Sequence, residues 1–407
     1  MPESPASPPD PTAPPLRVLV VTESFLPQIN GVTNSVCRVL EHLAARGHTA
    51  AVVAPTGPDA YAGAPVHRVG GIELPGYEGF TVGLATRRRL RRTMQKFRPD
   101  FVHVASPFVL GHAAIRASRA LGVRTVSVYQ TDVAGFARRY RLKAAGSLIE
   151  HRLRRIHGLS DLTLAPSTAS LDQLGRLGVP RVRFWPRGID TGRFAPEWRS
   201  EPLRTRLLGA AAGPDATDDV LVGYVGRLAK EKDLHHLRSV QDVPGVRLVL
   251  VGEGPEEEHL REALPGALFT GPKYGDELAG LVASLDVFVH SGSDETFCQS
   301  VQEALASGVP AVGPASGGLM DRIDDGVNGF LYGCGDLAGL RSAVGRLAGD
   351  PELRRSMGRA ARAGTEGRGW ESVNDRLIEH YLSLVPHRAG TGAAAGSVAG
   401  AVHGLAV

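Results

Sequence analysis

Cysteine is nearly missing from this 407-residue chain, which has only Cys37, Cys298 and Cys334, odd in number and far apart. That spacing excludes a disulfide framework and the paired ligands of a zinc site, and it suits a reducing compartment. No stretch approaches the roughly 20 apolar residues needed to cross a bilayer, and the start lacks the basic flank and apolar run of a signal peptide. A cytoplasmic protein is expected. Gly252-Glu253-Gly254 follows a strand but lacks the third glycine of a dinucleotide fingerprint, which argues against a nicotinamide site.

The chain exceeds the usual size of one hydrophobic core, so two domains are expected. Its hydrophobic content of 43% is ordinary for a globular protein. The ends differ: residues 1–15 are proline-rich, and residues 386–407 are mostly Ala, Gly and Val with almost no charge. Both read as disordered tails. In the first half, Arg17–Thr22 reads as a strand, Val32–Arg46 as a helix closed by Gly47, and Thr49–Ala54 as a strand; Phe101–Val104 and Thr125–Val128 repeat the theme. Such alternation predicts parallel sheets flanked by helices, with ligands at the carboxyl ends of the strands.

Two constellations in the second half follow such strands. Val220–Val225 is an apolar run that ends at Gly226-Arg227-Leu228-x3-Lys232. Arg227 offers a planar fork of donors and Lys232 a point charge, so the pair can divide a diphosphate between them. The alternative is two surface charges at a strand end. Leu285–His290 is the second strand, followed by Ser291-Gly292-Ser293-Asp294, then Glu295, and a helix from about Ser300 to Ala306. The backbone N–H groups of a helix start favour anions over residues 297–301. Glu295 would face a sugar on the loop side, and Glu303, two turns into the helix, would face a ribose. A capping acid and a solvated helix glutamate are the alternative.

The order of these motifs, with Gly252-Glu253-Gly254-Pro255 and Ala304-Leu305-Ala306-Ser307-Gly308-Val309-Pro310, resembles the donor half of the retaining GT-B glycosyltransferases of family 4. Phe25-Leu26-Pro27-Gln28-Ile29-Asn30-Gly31-Val32 resembles the glycine loop of that family, and Pro186-Arg187-Gly188-Ile189-Asp190-x3-Phe194 its inter-domain segment. The resemblance covers about residues 16–385. It implies two Rossmann-like, doubly wound parallel-sheet domains facing a cleft: an acceptor-binding domain over 16–190 and a nucleotide-sugar domain over 191–366. It also implies a helix over 367–385 that crosses back to the first domain, where Val373, Leu377, Ile378 and Tyr381 have helical spacing.

The resemblance further implies roles. Arg227, Lys232 and the N–H groups at Phe297, Cys298, Gln299 and Ser300 would stabilise the leaving diphosphate, which is the main service of a site without a protein nucleophile. Glu295 would orient the sugar, Glu303 would hold the ribose, and Gly31 would let the first domain approach the phosphates. Lys273 matches the region near the base. No Asp-x-Asp pair occurs, so no metal and no cofactor are expected.

Two departures from the family pattern stand out. Gln130 occupies the position of a common histidine after Thr125–Val128, and its amide can still hydrogen-bond the sugar. Asp132 is then the nearest carboxylate for an acceptor proton, or simply a helix cap before Val133. Cys298 replaces the usual glycine, and its side chain either narrows the sugar pocket or points away. Tyr129-Gln130-Thr131-Asp132 and Glu295-Thr296-Phe297-Cys298-Gln299 are similar to GDP-mannose-dependent alpha-mannosyltransferases acting on glycolipids. Phe184–Asp190 is similar to plant sulfoquinovosyltransferases, which use a UDP-sugar. A sugar-nucleotide-binding protein without transferase activity, or an epimerase on the same scaffold, are readings of another class. The first is opposed by the full set of Arg227, Lys232, Glu295 and Glu303, the second by the want of a histidine-rich cleft motif.

Charge is unevenly divided. Residues 1–190 hold 25 Lys and Arg against 13 Asp and Glu, and the remainder 21 against 29, so the basic half is the one that binds the acceptor in this family. The excess gathers in Arg87–Arg98, where Leu90, Met94 and Phe97 share a helical stripe, and in Arg138–Lys143 with Arg152, Arg154 and Arg155. Such a surface suits a lipid-linked or anionic acceptor and peripheral contact with an anionic membrane, the inner face of the plasma membrane for a cytoplasmic enzyme. The alternative for 87–98 is a stripe packed on the sheet beneath a solvated face. Nucleic acid is not expected, since no binding module accompanies the charge.

Overall fold

The computed structural model describes residues 15–28, 30–73, 81–130, 146–211 and 219–385. Asp132, the stretch Arg138–Lys143 and nearly all of the expected tails lie outside them.

The first half builds one sheet from β1 (Arg17–Val21), β2 (Thr49–Ala54), β3 (Ala60–Tyr61) and β4 (Ala64–Arg68), with β5 (Gly70–Glu73) and β6 (Thr81–Leu84) paired separately. It continues through β7 (Phe101–Val104), β8 (Arg124–Val128), β9 (Leu162–Ala165) and β10 (Val182–Phe184). The eight-stranded order is β10-β9-β8-β7-β1-β2-β4-β3, parallel apart from the β3–β4 pair. The second half forms β11 (Val220–Val225), β12 (Val246–Val251), β13 (Leu268–Phe269), β14 (Val287–Val289), β15 (Ala311–Pro314) and β16 (Gly329–Tyr332), all parallel in the order β13-β12-β11-β14-β15-β16.

Both sheets are covered on two faces, which is why their strands read as unbroken apolar runs. Along β1, Val18 and Val20 enter one core while Leu19 and Val21 enter the other, the period-two alternation of a strand. Each sheet is doubly wound, and its order reverses at one place: between β1 and β7, and between β11 and β14. Loops diverge at such a switch point and leave a crevice at the carboxyl ends of the strands. Every loop singled out in the second half for the diphosphate or the sugar leaves β11 or β14.

The helix Trp370–Leu382 lies in the core of the first sheet through Val373, Leu377, Ile378 and Tyr381. The Trp185 indole N–H donates to the Val373 carbonyl at 2.9 Å, and the Tyr381 hydroxyl and His103 Nδ1 share a hydrogen bond at 2.8 Å. Full burial of each such apolar side chain contributes about 1.5–3 kcal/mol, whereas an exposed ion pair contributes under about 1 kcal/mol. The apolar face therefore holds this helix, and the Arg46–Glu371 pair at its rim adds little.

The helix Arg87–Phe97 follows the packed alternative: Leu90 and Met94 are buried against the first sheet, with Phe97 beside them. Its cations Arg87, Arg88, Arg89, Arg91, Arg92 and Lys96 are exposed. The apolar stripe is thus spent within the fold, and only charge faces outward. Among the described residues, no helix is long and apolar enough to cross a membrane.

Candidate active site

At the second switch point, β11 ends in the loop that carries Arg227, and the loop after β12 clamps it. The Leu228 N–H donates to the Glu253 carbonyl at 2.9 Å, and the Glu256 N–H to the Leu228 carbonyl at 3.0 Å. Gly252 and Gly254 have φ of 139° and 159°, and an added Cβ would overlap the carbonyl oxygen of Gly226 or Leu228 respectively. The Gly-x-Gly segment thus serves a crossing of two backbones. Arg227 itself is exposed, with Nη1 3.8 Å from Glu231 Oε1.

β11 and β14 are neighbours, pairing Val222 with Val287 and Gly223 with Phe288, so the loops that follow them lie side by side. The Ser291 hydroxyl donates to the Lys232 carbonyl at 2.8 Å and pins one loop to the other. In consequence the Lys232 ammonium reaches Glu295 Oε1 directly, and His290 Nε2 lies 3.2 Å from the same oxygen. Burial alone would raise the Glu295 carboxyl, but Lys232 and His290 outweigh it and hold the group well below the usual carboxylate range. Burial would likewise lower His290, yet the Cys298 sulfur and the Glu295 carboxylate lift it to about 9. The result is a fixed carboxylate between two cations. Sequence reasoning placed His290 at a strand end and gave it no role; its position at the carboxyl end of β14 was the available signal.

Cys298 precedes the helix Gln299–Ala306 with φ 65° and ψ 77°, in the left-handed region. That conformation explains why glycine is usual here, since a residue with Cβ holds it at a cost of about 1–2 kcal/mol. The side chain is buried and turns inward: its sulfur lies within 4.8 Å of ligand atoms of both His290 and Glu295. These three could hold a soft metal ion, although the Glu295 carboxylate already faces the Lys232 ammonium and His290. The first N–H groups of the helix, at Gln299 and Ser300, have no partner within it by geometry. Glu303 stands one turn into this helix, not two, since it is the fourth residue after Gln299 and a turn takes about 3.6 residues. Burial pushes its carboxyl up to about 8, with the Gln299 side chain opposing.

Phe297 contributes a buried ring, with the Arg322 guanidinium 4.5 Å and the Arg187 guanidinium 5.9 Å from its centroid. Arg187 also donates to Gln130 Oε1 at 2.8 Å. Gln130 Nε2 points at the Ala105 carbonyl, 3.5 Å away, so both ends of the amide are directed at protein. Arg187 lies against Gly31, the first residue of the helix Gly31–Ala45, where an added Cβ would overlap the guanidinium. Gly31, Gln130, Phe297 and the helix start are thereby brought together around Arg187. The sequence by itself gives Arg187 and Arg322 no role, although Arg187 lies in the segment that resembles the inter-domain stretch of the family. Lys273 is set apart after β13, paired with Glu277 at 2.6 Å, and is linked to the Gly252 loop by a Gly252 N–H bond to the Gly271 carbonyl at 3.0 Å.

The two halves meet over this site. The Thr296 hydroxyl donates to the Gln130 carbonyl at 3.1 Å, and the Thr168 N–H donates to Asp321 at 2.8 Å. Between them opens a cleft of about 500 Å³, lined by Ser170, Gln173 and Arg176 on the first side and by Asp294, Glu295 and Thr296 on the second.

Comparison with known proteins gives this geometry a lineage. Residues 29–193 match the family model Glycosyltransferase Family 4, and residues 211–364 match Glycosyl transferases group 1. A GDP-mannose-dependent alpha-mannosyltransferase of Mycobacterium tuberculosis is 46% identical over 91% of this chain and 97% of its own. A sulfoquinovosyl transferase of Arabidopsis thaliana is 32% identical over 94% of this chain and 76% of its own. The crystal structure of Anabaena HepE in complex with UDP superposes with a TM-score of 0.74 at 18% identity, covering 91% of this chain and 100% of that one, which shows the GT-B fold. The chain belongs to glycosyltransferase family 4, as a relative of the GDP-mannose-dependent alpha-mannosyltransferases.

Proposed function

We propose that this chain transfers mannose from GDP-mannose to a hydroxyl of a lipid-linked or glycolipid acceptor, with retention at the anomeric carbon. The carrying observation is the Lys232–Glu295–His290 arrangement at the second switch point, whose Glu295 lines the inter-domain cleft. The 46% identity to a named mannosyltransferase favours GDP-mannose over the UDP-sugar alternative, whose representative stands at 32%.

In this reading Lys232 and Arg227 meet the departing diphosphate, together with the N–H groups at the start of the helix Gln299–Ala306. Charge that develops on the phosphate oxygens is met by donors already in place, which lowers the barrier. The acceptor hydroxyl attacks from the face the diphosphate leaves, and its proton passes to the departing phosphate oxygen. Glu295 orients the sugar, and the cationic side chains make a metal unnecessary. The exposed cations of the helix Arg87–Phe97 would draw anionic headgroups at about 1 kcal/mol each, without an apolar wedge. Binding to anionic vesicles should therefore appear at low salt and vanish at high salt; absence of binding at low salt would remove membrane contact from the proposal.

The deciding experiment is a thermal-shift comparison with GDP, UDP, GDP-mannose and UDP-sugars. A ligand at a hundredfold excess over its Kd stabilises by about 2.7 kcal/mol, so selectivity is readable. GDP-selective stabilisation is expected, and UDP-selective stabilisation would move the assignment to the sulfoquinovosyl or glucosyl type.

Glu303 adds a pH dependence. Its carboxyl, near 8 in the free protein, is largely protonated at pH 7, whereas two ribose hydroxyls donating to it would favour the carboxylate. Nucleoside binding should therefore release a proton, and guanosine affinity should rise by up to about tenfold per pH unit below pH 8, then level off. Calorimetry in buffers of different ionisation enthalpy reads this directly, and Glu303→Gln should abolish the dependence.

A further inference from the structure

Arg187 is a cation in search of an anion. Its chain segment, Pro186-Arg187-Gly188, is held on the helix Gln299–Ala306: the Gln302 amide donates to the Arg187 carbonyl at 3.1 Å and the Gln299 amide to the Gly188 carbonyl at 3.2 Å. From there the guanidinium reaches Gly31 at the start of the helix Gly31–Ala45 and passes over Phe297, just before the start of the other. It therefore lies against the start of one helix, whose N-terminus carries partial positive charge, and beside the ring two residues before the start of the other. A guanidinium has five N–H donors. One is used on Gln130, while the buried Nε has no acceptor among the described residues. The carboxylate whose field it feels is Glu295, which Lys232 and His290 already neutralise. Burial accordingly lowers Arg187 to about 10, with Glu295 only partly compensating. The residue as a whole is half-buried.

We propose that Arg187 binds the diphosphate of the donor as a third cation, reaching it from the Gly31 side of the cleft while Arg227 and Lys232 hold it from the other. The inference rests on the nucleotide-sugar reading of the site. It also gives Gly31 a second reason to lack a Cβ, because the guanidinium needs that space.

The test is a calorimetric comparison of guanosine with GDP, and of uridine with UDP, on the full chain and its variants. Arg187→Gln should lower diphosphate affinity at least tenfold while leaving the bare nucleoside unchanged, and Arg187→Lys should restore part of the loss. Gly31→Ala, which pushes the guanidinium aside without removing it, should weaken the diphosphate in the same direction. Should Arg187→Gln fail to melt cooperatively, Arg187→Lys carries the comparison. An unchanged diphosphate-to-nucleoside ratio in the folded variants overturns the assignment to Arg187 alone. Equal weakening of nucleoside and diphosphate also overturns it, since that marks a structural role. A wild-type chain that binds neither GDP nor UDP would instead bring down the donor reading beneath it.

Discussion

Lys232→Ala is expected to cut kcat by about 100- to 1,000-fold, equivalent to about 2.7–4 kcal/mol of lost transition-state stabilisation. The ammonium is the cation fixed on Glu295, and it stands where the loop after β11 meets the loop after β14. A leaving diphosphate gains most from a charge that need not reorganise, and Lys232 is held in place by the carboxylate beside it. The same variant leaves Glu295 with His290 as its cation. Breaking a buried pair costs about 3–5 kcal/mol, and the low end applies here because the two side chains retain 23% and 16% exposure. Glu295→Gln should impair transfer as well, and the double variant should be little worse than either single one, because the residues act as a unit. Kinetics with saturating donor, alongside melting curves, separate the two effects. Retention of kcat within a few-fold in a folded Lys232→Ala protein would remove Lys232 from the mechanism.

Gly252→Ala is expected to destabilise the protein by about 2–5 kcal/mol, combining a strained left-handed φ with overpacking. The added methyl group would meet the Gly226 carbonyl oxygen, which is backbone and cannot swing away. For a domain of this size the loss corresponds to about 5–15 °C in Tm. Nucleotide binding should weaken too, since the displaced strand end is the one that presents Arg227. A substitution at Gly275, also at positive φ (55°) but with nothing within 4 Å of its Cβ, should cost only the backbone strain. Comparable Tm values for the two variants would show that the crossing of the loops is looser than the structure indicates.

The two sites differ in how far the sequence reveals them. Lys232 and Glu295 were legible because each follows a strand at a spacing that carries its own chemistry. The purpose of Gly252 and Gly254 was not: a Gly-x-Gly after a strand reads as an incomplete dinucleotide fingerprint, and only the loop that lies against it reveals a backbone crossing. Cys298 is similar. The chain shows a thiol where glycine is usual, and the positive φ that makes glycine usual is invisible until the turn is built. Gln130 looked free to touch a sugar, whereas Arg187, a neighbour 57 positions away in sequence, takes its oxygen.

What the sequence determined by itself was the alternation of buried strands and helices, and hence two parallel sheets with ligands at their carboxyl ends. Those features arise from periodicity and turn chemistry, which act over a few residues. What only the tertiary structure decided was the electrostatic character of the cleft: which cation neutralises Glu295, how His290 and Cys298 are drawn in, and why the Arg187 Nε has no acceptor among the described residues. Burial and charge pairing depend on residues far apart in the chain meeting at low dielectric, where a few ångströms change the balance between desolvation and Coulomb attraction. No local pattern encodes that distance.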